Sequence, residues 1–465
     1  MTSHPEPFDL DRLRGRVRVR VVTPADADYD AARAVMYGPD RRPIAIVQVV
    51  DAADVAAAVD AARDAGLELA VRAGGHSAAG HGTTDGGLVI DLRGLRSLEI
   101  DPVGRTARAG AGLTAGEVGQ AAAEHGLAIG FGDTASVGIG GLTTGGGVGY
   151  LVRKHGLTID NLLSAEIVTA DGAIREVDAD HEPELFWAIR GGGGNFGVAT
   201  RFTYRLADVP GVVGGMLLLP ATAEVLAGFI AAAEAAPDEL SAIANVMPAM
   251  PLPFIPAEAH GKLAIMALMA YAGDTEAGLA ALAPFRALAT PIADLLRPMR
   301  YPELFPPTGG PGGEGPAPQS YGRNVFLDTA DRDLAADIVE RIAAHATAPG
   351  TLLSAVQLRV LGGAYARVPA EATAYAHRGR RIMANVGAVY LPAADPAVQR
   401  AWVDATADAI RQGRDDAYVN FLPDAGEAGV REAYPEPTLA RLRAIKQAVD
   451  PGNLFRRNHN IAPSG

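Results

Sequence analysis

One histidine, His76, lies inside a glycine-punctuated stretch that follows a short apolar segment. The stretch reads Val71-Arg-Ala-Gly-Gly-His-Ser-Ala-Ala-Gly-His-Gly82. Its glycines permit positive φ angles and close approach of the backbone to a ligand, and the N–H groups of such a loop can form a nest for an anionic phosphate. The loop therefore predicts a site for the pyrophosphate of a dinucleotide, although a surface turn with a solvated histidine has the same local pattern.

A second glycine cluster occupies residues 130–149. Neither Gly138-Ile-Gly140 nor Gly145-Gly-Gly147 is followed by the third glycine of the dinucleotide fingerprint, and the Gly-Lys-Ser/Thr of a P-loop is absent. A flexible linker also fits poorly, because apolar residues are interleaved as if they were buried: Val137, Ile139, Leu142 and Val148. We expect this backbone to run close to a flat or anionic group.

Metal and thiol chemistry find little support in the sequence. The chain has no cysteine, which excludes disulfides, thiolate metal sites and cysteine nucleophiles. His81 follows His76 by five residues, but no third histidine or carboxylate accompanies them at ligand spacing, so a hydrogen-bonding role in the loop is favoured. No metal is predicted.

Composition bounds the class of protein. With 465 residues and 48% hydrophobic content, the chain can bury a large core and divide into two or three domains. The net charge of −13 and the absence of basic runs disfavour binding to nucleic acid or to an anionic membrane surface. The first residues lack a signal-peptide pattern and no apolar run reaches spanning length, so we expect a cytoplasmic protein.

The elements that position the histidine loop alternate irregularly. Residues 51–65 read as an amphipathic helix with Asp51 as N-cap, and residues 67–71 as the strand that enters the loop. Short strands at 87–92, 98–100 and 106–110 are followed by a helix at 114–125. This α+β pattern has no regular βαβ alternation, which argues against a doubly wound nucleotide-binding fold.

The middle of the chain indicates a sheet with helices on one face. Strand patterns lie at 241–247, 262–271, 354–360 and 381–390, and helix patterns at 223–235, 275–288, 332–345 and 396–412. Residues 306–318 are too rich in glycine and proline to pack a core. This segment is either a disordered loop, the interpretation that we favour, or a lid over the site.

Further along the chain, ordered short motifs produce a resemblance to a known family. The sequence is similar to the FAD-linked oxidases of the p-cresol methylhydroxylase and vanillyl-alcohol oxidase superfamily, in its berberine bridge enzyme-like branch. The resemblance covers most of the chain. Besides the histidine loop, it rests on Val137-Gly-Ile-Gly-Gly141, Gly145-Gly-Gly-Val-Gly149, Asp160-Asn161, Asp171-Gly172, Arg190-Gly-Gly-Gly-Gly-Asn-Phe-Gly197, Tyr418-Val-Asn420, Asp450-Pro-Gly-Asn-Leu-Phe455 and Asn458-His-Asn-Ile461.

The resemblance implies the fold and the domain order. It implies an α+β protein with a two-part FAD-binding domain of the p-cresol methylhydroxylase type and an inserted substrate domain of antiparallel sheet covered by helices. The first FAD-binding part is expected at 1–206, with its FAD-binding unit at about 38–206. The substrate domain is expected at 207–413, and a berberine bridge enzyme-like segment at 414–465 returns to the FAD domain.

The resemblance also implies how the flavin is held. In the family, a histidine at the position of His76 is bonded to the 8α carbon of FAD. Thr134 stands at the position where many relatives have a second, cysteinyl anchor. We therefore expect a single covalent tether. Further cofactor-binding residues implied by the matching motifs are Arg72, Gly74, Gly75, Ser77, Gly80, His81, Thr134, Val137, Gly138, Gly141, Gly145, Gly149, Asn195, Val198, Asn420 and Asn460.

Tyr418 is the candidate general base. In Tyr418-Val-Asn-Phe421, residues 418 and 420 would point to the same face of a strand, and the matching tyrosine of alcohol-oxidising relatives takes the substrate hydroxyl proton. Because an unperturbed phenol has a pKa near ~10, this role needs a neighbouring cation or hydrogen-bond donor. An aromatic core contact is the alternative. Phe421 replaces a second tyrosine of many relatives, which disfavours a simple sugar oxidase.

Other catalytic candidates come from the inserted sheet and the glycine run. In residues 354–360, Gln357 and Arg359 share the face opposite the apolar residues, and a polar face there is either solvent-exposed or part of a pocket. Tyr150 and Asn385 are candidates by resemblance. The position of a plant-type Glu or Gln base holds Val386. His155 replaces a tyrosine of many relatives, and it either faces the flavin edge or hydrogen-bonds in the core.

Together these features predict an FAD-dependent oxidase that acts on a hydroxyl or activated C–H group of a mid-sized organic molecule, such as a secondary metabolite, with O2 as acceptor. One alternative is oxidation or oxidative cyclisation of a polyketide-like enol. Another is a flavin-binding protein without turnover. The expected partners are a small-molecule substrate and O2, and the oligomeric state is not readable from the sequence.

Overall fold

The computed structural model describes residues 9–36, 39–305 and 318–464. Up to residue 208, the elements in chain order are α1 (Leu10–Arg16), β1 (Val21–Val22), α2 (Tyr29–Arg33), β2 (Ala45–Gln48), α3 (Ala52–Asp64), β3 (Leu69–Arg72), β4 (Leu88–Asp91), β5 (Leu98–Asp101), β6 (Thr106–Gly110), α4 (Ala115–Ala123), β7 (Leu127–Ala128), α5 (Ile139–Gly145), α6 (Val152–His155), β8 (Leu162–Val168), β9 (Ile174–Asp178), α7 (Pro183–Ile189), β10 (Val198–Arg205) and β11 (Ala207–Asp208).

The histidine loop follows β3, a strand of a small, mostly parallel sheet. Its strand order is β1-β2-β4-β3, and β4 runs parallel to both β2 and β3. The helix α3 therefore crosses over between parallel strands, a local βαβ unit that the sequence pattern did not indicate. The unit does not repeat: the next sheet, β5-β6-β10-β8-β9, pairs antiparallel throughout.

Side-chain caps fix where the helices of this region begin. Asp51 accepts a hydrogen bond from the Asp54 main chain at 2.9 Å, so α3 begins just after Asp51, as predicted. Thr114 and Glu117 form a reciprocal capping box that sets the start of α4. Both helices bury their alanine and valine faces in the first hydrophobic core.

The middle of the chain, which the sequence predicts to be the substrate domain, forms a second layer. Its elements are β12 (Val212–Pro220), α8 (Ala223–Ala235), β13 (Leu240–Pro248), β14 (Leu263–Tyr271), α9 (Thr275–Arg286), β15 (Ala293–Asp294), β16 (Arg297–Met299), β17 (Gln319–Leu327), α10 (Arg332–His345), β18 (Thr351–Val360), α11 (Ala364–Arg367), β19 (Ile382–Tyr390) and α12 (Pro396–Ile410). These strands build an antiparallel sheet in the order β15-β12-β14-β13-β18-β19-β17, with β16 also paired to β12.

Helices cover one face of this large sheet. A second buried core joins apolar residues of α8, α9, α10 and α12 to one side of the central strands. On β18, for example, Val356 and Leu358 are fully buried in that core, whereas Gln357 between them belongs to the other face. The predicted α+β fold, with an antiparallel sheet covered by helices, is confirmed.

The C-terminal segment returns to the first core. It contains α13 (Gly426–Ala433) and α14 (Glu436–Val449), whose buried residues belong to the same cluster as those of α7. The guanidinium carbon of Arg441 in α14 lies 4.0 Å from the ring centroid of Trp187 in α7, and Arg441 pairs with Glu184 at 2.6 Å. The two ends of the chain thus share one core, while the large sheet has its own.

Some sequence-based expectations are not decided by the fold. The domain boundaries at 206/207 and 413/414 stay predictions; in the structure, β12 begins at Val212 and α12 ends at Ile410. The segment at 306–318, expected as a disordered loop or a lid, lies outside the described residues except for its last position. Within the described part of the chain, no helix is both long and apolar enough to cross a membrane.

Candidate active site

The histidine loop presses against the turn that precedes α5. A side-chain carbon on Gly74 would collide with the main-chain nitrogen of Gly138, and one on Gly138 would collide with that of Gly74. Gly75 and Gly80 adopt φ angles of +71° and +67°, in the left-handed region that favours glycine. At Gly74 and Gly138 the close neighbour is therefore another main chain, where the sequence led us to expect a ligand.

His76, which follows Gly75 in the loop, is half-buried. Burial lowers the pKa of its imidazole, and a hydrogen bond to the Ser136 main chain opposes that shift only in part. The ring is therefore neutral at neutral pH, the form that can act as a nucleophile. Ser77 holds the following turn, because its hydroxyl accepts a hydrogen bond from the His81 main chain at 3.5 Å.

Arg72 is held inside the protein. Its guanidinium is buried, pairs with Asp91 at 2.8 Å and donates to the main-chain oxygens of Ala32 at 2.6 Å and Ala34 at 3.2 Å. These contacts tie the chain before β2 to the start of the histidine loop. Arg72 thus positions the loop in this structure.

The C-terminal tail closes over the histidine loop. His459 meets the ring of His81 edge to face at 4.8 Å, and Arg457 donates to the main-chain oxygen of Thr83 at 3.1 Å. Burial lowers the pKa of His81 to about 4, with the charge of Arg41 adding to the shift, and burial lowers the pKa of His459 to about 3. Both imidazoles are neutral at neutral pH. Their ring contact joins loop to tail, and the hydrogen-bonding role expected for the His81 side chain stays a prediction.

Asn195 fastens the tail from the other side. Its amide nitrogen donates to the main-chain oxygens of Gly192 at 2.9 Å and His459 at 3.2 Å, and its oxygen accepts from the Ile461 main chain at 2.9 Å. Its amide nitrogen and oxygen are thus both engaged by the protein itself. Val198, three residues further along the chain, begins β10 and is buried in the first core.

Buried polar atoms without partners gather where loop and tail meet. Within the described residues, the Thr83 hydroxyl and the side-chain oxygens of Asn458 and Asn460 make no hydrogen bond. Buried polar groups of this kind mark places where a ligand or ordered water supplies the partner. Together with the glycine-rich main chain and the neutral His76, they fit a dinucleotide cofactor at this junction.

The second glycine cluster forms a short helix as well as turns. Ile139 anchors α5 in the core, and Gly146, with φ +139°, ends the helix. A side-chain carbon on Gly145 would collide with the amide of Asn420, and one on Gly149 would lie 2.6 Å from the Gly132 main-chain oxygen. These glycines allow other chain segments to approach. The remaining predicted residues here are Gly141, which is exposed, and Val137, which is half-buried.

Thr134, at the position of the missing second anchor, is exposed. Its hydroxyl donates to the neighbouring Asp133 carboxylate at 3.0 Å. Asp133 in turn forms an ion pair with Arg359 of the large sheet. The turn that contains Thr134 is thus linked to the large sheet by charge.

Tyr418 lies where the glycine run, the tail and the large sheet meet. Its phenol oxygen accepts hydrogen bonds from the Gly147 main chain at 2.7 Å and from the Asn420 amide at 2.8 Å. Its main-chain N–H donates to the Asn324 side chain at 2.6 Å. Asn420 also donates to the Leu142 main-chain oxygen at 3.2 Å, so it fixes the tyrosine to α5.

The predicted strand at Tyr418 is wrong. Residues Val419–Phe421 form a single 3-10 turn, closed by a hydrogen bond from the Phe421 main chain to that of Tyr418 at 2.9 Å. The turn, rather than strand alternation, brings the side chains of Tyr418 and Asn420 together. Phe421 packs edge to face on the Tyr418 ring at 5.1 Å.

The environment of Tyr418 raises the pKa of its phenol to about 12. Burial is the largest cause, because it penalises the charged phenolate. The N–H donors of Gly147 and Asn420 and the charge of Arg359 act in the opposite direction. The donors and the cation that sequence reasoning required are therefore present, but they do not outweigh burial.

A row of side-chain amides crosses the face of the large sheet that lies opposite the covering helices. Asn245, Gln357, Asn385 and Asn324 lie opposite one another on β13, β18, β19 and β17. Gln357 donates to Asn245 at 2.8 Å, Asn385 donates to Gln357 at 3.1 Å, and Asn324 donates to Asn385 at 2.6 Å. The two predicted residues Gln357 and Asn385 thus belong to one network that ends at Tyr418.

Arg359 joins this row to the first domain. Its Nε donates to Gln357 at 2.9 Å, another nitrogen donates to the Val148 main-chain oxygen at 3.2 Å, and its guanidinium carbon lies 5.4 Å from the centre of the Phe421 ring. Its side chain is 5% exposed, and Asp133 supplies the opposite charge. The polar face of β18 is therefore part of an interior site.

Tyr150 and His155 lie apart from this network. The Tyr150 ring packs against Phe305 at 5.8 Å, its hydroxyl has no hydrogen-bond partner among the described residues, and burial raises its pKa. His155 ends α6; its Nε2 is buried without a partner in the described part of the chain, and burial lowers its pKa. The structure brings neither side chain into hydrogen-bond contact with Tyr418.

Sequence reasoning missed Asp133, Asn245 and Asn324. Asn245 is a single polar residue between apolar neighbours of its strand, a signal that the alternation of strand faces could have revealed. Asn324 follows Arg323 in a strand that begins with polar residues, so its sequence context does not single it out. Asp133 carried no such signal, because its partner Arg359 is remote in sequence.

Comparisons with known proteins agree with this geometry. Residues 43–178 match a family described as FAD binding domain, and residues 417–462 match the family described as berberine and berberine like. The chain is 30% identical to (R)-6-hydroxynicotine oxidase of Paenarthrobacter nicotinovorans over 463 residues, which covers 97% of this chain and 98% of that protein.

Solved structures show the same fold. The crystal structure of 6-hydroxy-D-nicotine oxidase from Arthrobacter nicotinovorans superposes with a TM-score of 0.83 at 28% identity, covering 96% of this chain and 98% of that one. Xylooligosaccharide oxidase from Myceliophthora thermophila superposes with a TM-score of 0.84 at 23% identity, covering 98% and 99%. The latter likeness concerns the fold alone.

Proposed function

We propose a reaction and a cofactor linkage for this chain, which belongs to the berberine bridge enzyme-like family of FAD-linked oxidoreductases. The reaction is oxidation of a hydroxyl or activated C–H group of a mid-sized organic molecule of secondary metabolism, with O2 as the final electron acceptor. A relative named as an oxidase of a hydroxynicotine supports a small-molecule substrate.

The observation that carries the proposal is the position of the Tyr418 oxygen. It receives N–H groups from Gly147 and Asn420 at 2.7 and 2.8 Å, at the junction between the glycine run and the large sheet. Such donors stabilise the ionised phenolate, which is the form of Tyr418 that accepts a proton. We assign Tyr418 to remove the hydroxyl proton of the substrate.

The bound FAD supplies the acceptor for the two electrons that leave the substrate carbon. The residues that would hold it are the histidine loop, the turn before α5 and the tail around Asn460. Tyr418 holds the substrate oxygen and takes its proton, while Asn420 and the Gly147 main chain keep the phenol in place. Phe421, which packs on the Tyr418 ring, would help to exclude water from this contact.

His76 is the proposed single tether. Its neutral imidazole would hold FAD through a C–N bond to the methyl carbon at position 8 of the flavin. Such a bond would replace one hydrogen of the methyl group and one of the imidazole, with O2 as the acceptor of the two electrons. The exposed Thr134 hydroxyl forms no second bond, because an unactivated hydroxyl is a poor nucleophile beside a thiolate.

A second candidate reaction is oxidation or oxidative cyclisation of a polyketide-like enol. The amide row favours it, because side-chain N–H groups on the sheet can hold an enolate oxygen. The two reactions share the cofactor, the tether and O2. They differ in the substrate group that contacts the large sheet.

O2 as acceptor can be tested without a known substrate. Purified protein is reduced with dithionite under nitrogen and then mixed with air-saturated buffer, while the visible flavin absorbance is followed. We expect rapid recovery of the oxidised spectrum together with one H2O2 for each flavin. A protein that stays reduced in air, yet recovers with an artificial electron-acceptor dye, would contradict an oxidase.

A further inference from the structure

We propose that Gln357 presents only hydrogen-bond donors to the substrate, so that the substrate meets the large sheet through an acceptor oxygen, a carbonyl or an enolate. This inference rests on the proposed function and specifies the chemistry of its substrate. It follows from the direction of the amide row and from the space beside it.

The groups at the two ends of the amide row fix the direction in which its amides donate. At one end, the Tyr418 main-chain N–H can only donate, and it reaches the Asn324 oxygen at 2.6 Å. At the other end, the Met266 main-chain oxygen can only accept, and it receives the Asn245 amide at 2.9 Å. Every amide between them donates toward Asn245. Reversing one would bring two nitrogens or two oxygens face to face.

Within the row, Gln357 has no free acceptor. Its side-chain oxygen accepts from the Asn385 amide at 3.1 Å and from Arg359 Nε at 2.9 Å, which fills both lone pairs. Its nitrogen donates one hydrogen to Asn245 at 2.8 Å. Among the described residues its other hydrogen has no acceptor, so the group left for a ligand is an N–H.

The sheet leaves room for a ligand beside Gln357. On the same face, the next row toward the outside consists of Ala355, Gly387 and Gly322, all half-buried. Because these residues are small and lie side by side, their side chains leave space above this part of the sheet. Gln357 and Asn385 are themselves half-buried, whereas Val356 on the opposite face of β18 is fully buried.

The row also relates this donor to the catalytic oxygen. Asn324 holds the Tyr418 main chain, and Arg359 holds Gln357 while stacking over Phe421, the neighbour of the Tyr418 ring. A substrate can therefore place one oxygen at Tyr418 and a second, acceptor oxygen at Gln357. Two-point binding of this kind orients the carbon between them.

The test compares two probes with one carbon skeleton. The FAD-loaded protein is titrated with 1,3-cyclohexanedione, an enolate at neutral pH, and with 1,3-cyclohexanediol, while the flavin difference spectrum reports binding. We expect the dione to bind roughly tenfold to hundredfold more tightly, the range for one hydrogen bond to a charged group. Equal affinities, including no binding of either probe, would overturn the proposal.

Variants of Gln357 locate the effect. Gln357→Glu replaces the donor with an acceptor and should remove the preference for the dione; Gln357→Met, which adds no charge, should remove it as well. The control is Gln412→Glu, because the side-chain oxygen of the exposed Gln412 accepts from the main chains of Asp328 and Thr329 away from the site. It should keep the preference.

The results with the variants distinguish failure of this inference from failure of the proposed reaction. If both folded Gln357 variants retain the wild-type preference, Gln357 is not the donor and the inference fails. Binding is measured without turnover, so a protein that prefers the dione but oxidises no substrate would contradict the proposed reaction alone.

Discussion

Replacing Tyr418 with phenylalanine removes one buried oxygen and little else. That oxygen accepts from the Gly147 main chain at 2.7 Å and from the Asn420 amide at 2.8 Å. If Tyr418 takes the substrate proton, Tyr418→Phe should slow flavin reduction by roughly 10²–10⁴, the contribution of a positioned general base. FAD content and the reaction of the reduced protein with O2 should hardly change.

The raised pKa adds a pH signature. Burial raises the pKa of Tyr418 to about 12, so the ionised fraction in the free protein grows about tenfold per pH unit over the usable range. The rate of flavin reduction in the wild type should therefore rise with pH without a plateau over this range. Tyr418→Phe should lose this slope.

The substitution also has a cost in stability that must be separated from catalysis. It leaves the buried Gly147 N–H without its acceptor, worth about 1–3 kcal/mol, whereas Asn420 keeps the Leu142 main-chain oxygen at 3.2 Å. Tyr434→Phe is the matched control, because the buried Tyr434 hydroxyl donates to the Gly191 main chain at 3.0 Å, whereas the hydrogen bonds of the Tyr418 oxygen go to Gly147 and Asn420.

The assay is anaerobic stopped-flow mixing of oxidised protein with the first substrate found to bleach the flavin, over a series of pH values. Denaturant unfolding of each variant supplies the stability comparison. Tyr434→Phe should lose stability and keep the wild-type reduction rate. A Tyr418→Phe protein with the wild-type rate and pH slope would refute the assignment.

Three further predictions concern the tether and its surroundings. His76→Ala should still bind FAD but release it on acid denaturation; loss of all FAD binding would show that His76 does more than tether. Thr134→Cys should gain a second flavin bond if its main chain matches that of doubly tethered proteins, and a flavin peptide at Thr134 in the wild type would defeat the single-tether proposal. Folding lowers the pKa values of His81 and His459 from 6.5 to about 4 and about 3. Below pH 6.5 the unfolded chain therefore binds more protons than the folded chain, so the free energy of unfolding should fall as pH decreases from 6.5 toward 4. His459→Phe should flatten that dependence in urea titrations, and an unchanged slope would argue against it.

Local patterns predicted the helices of the large sheet well. The expected helices at 223–235 and 332–345 coincide with Ala223–Ala235 and Arg332–His345, because each has a capping side chain and a continuous apolar stripe. The strands β12 and β17 were missed. Gly214 and Gly215 interrupt β12, and glycine weakens a strand pattern.

The site itself depends on long-range register that a single sequence does not show. Asn324 and Asn385 are 61 residues apart and meet only because β17 pairs with β19 in one register. A shift of one residue would turn the amides to the other face. Tyr418 was identified by resemblance, but its turn depends on contacts with Asn420 and α5 that strand periodicity cannot express.

The most direct test of the central claim is the mass of the denatured protein followed by a peptide map. Protein denatured in acid should remain yellow and carry the mass of one FAD, and after digestion the flavin should reside on the peptide that contains His76 and on no other. Quantitative release of flavin from the wild-type protein by acid, or a flavin peptide that lacks His76, would contradict the account.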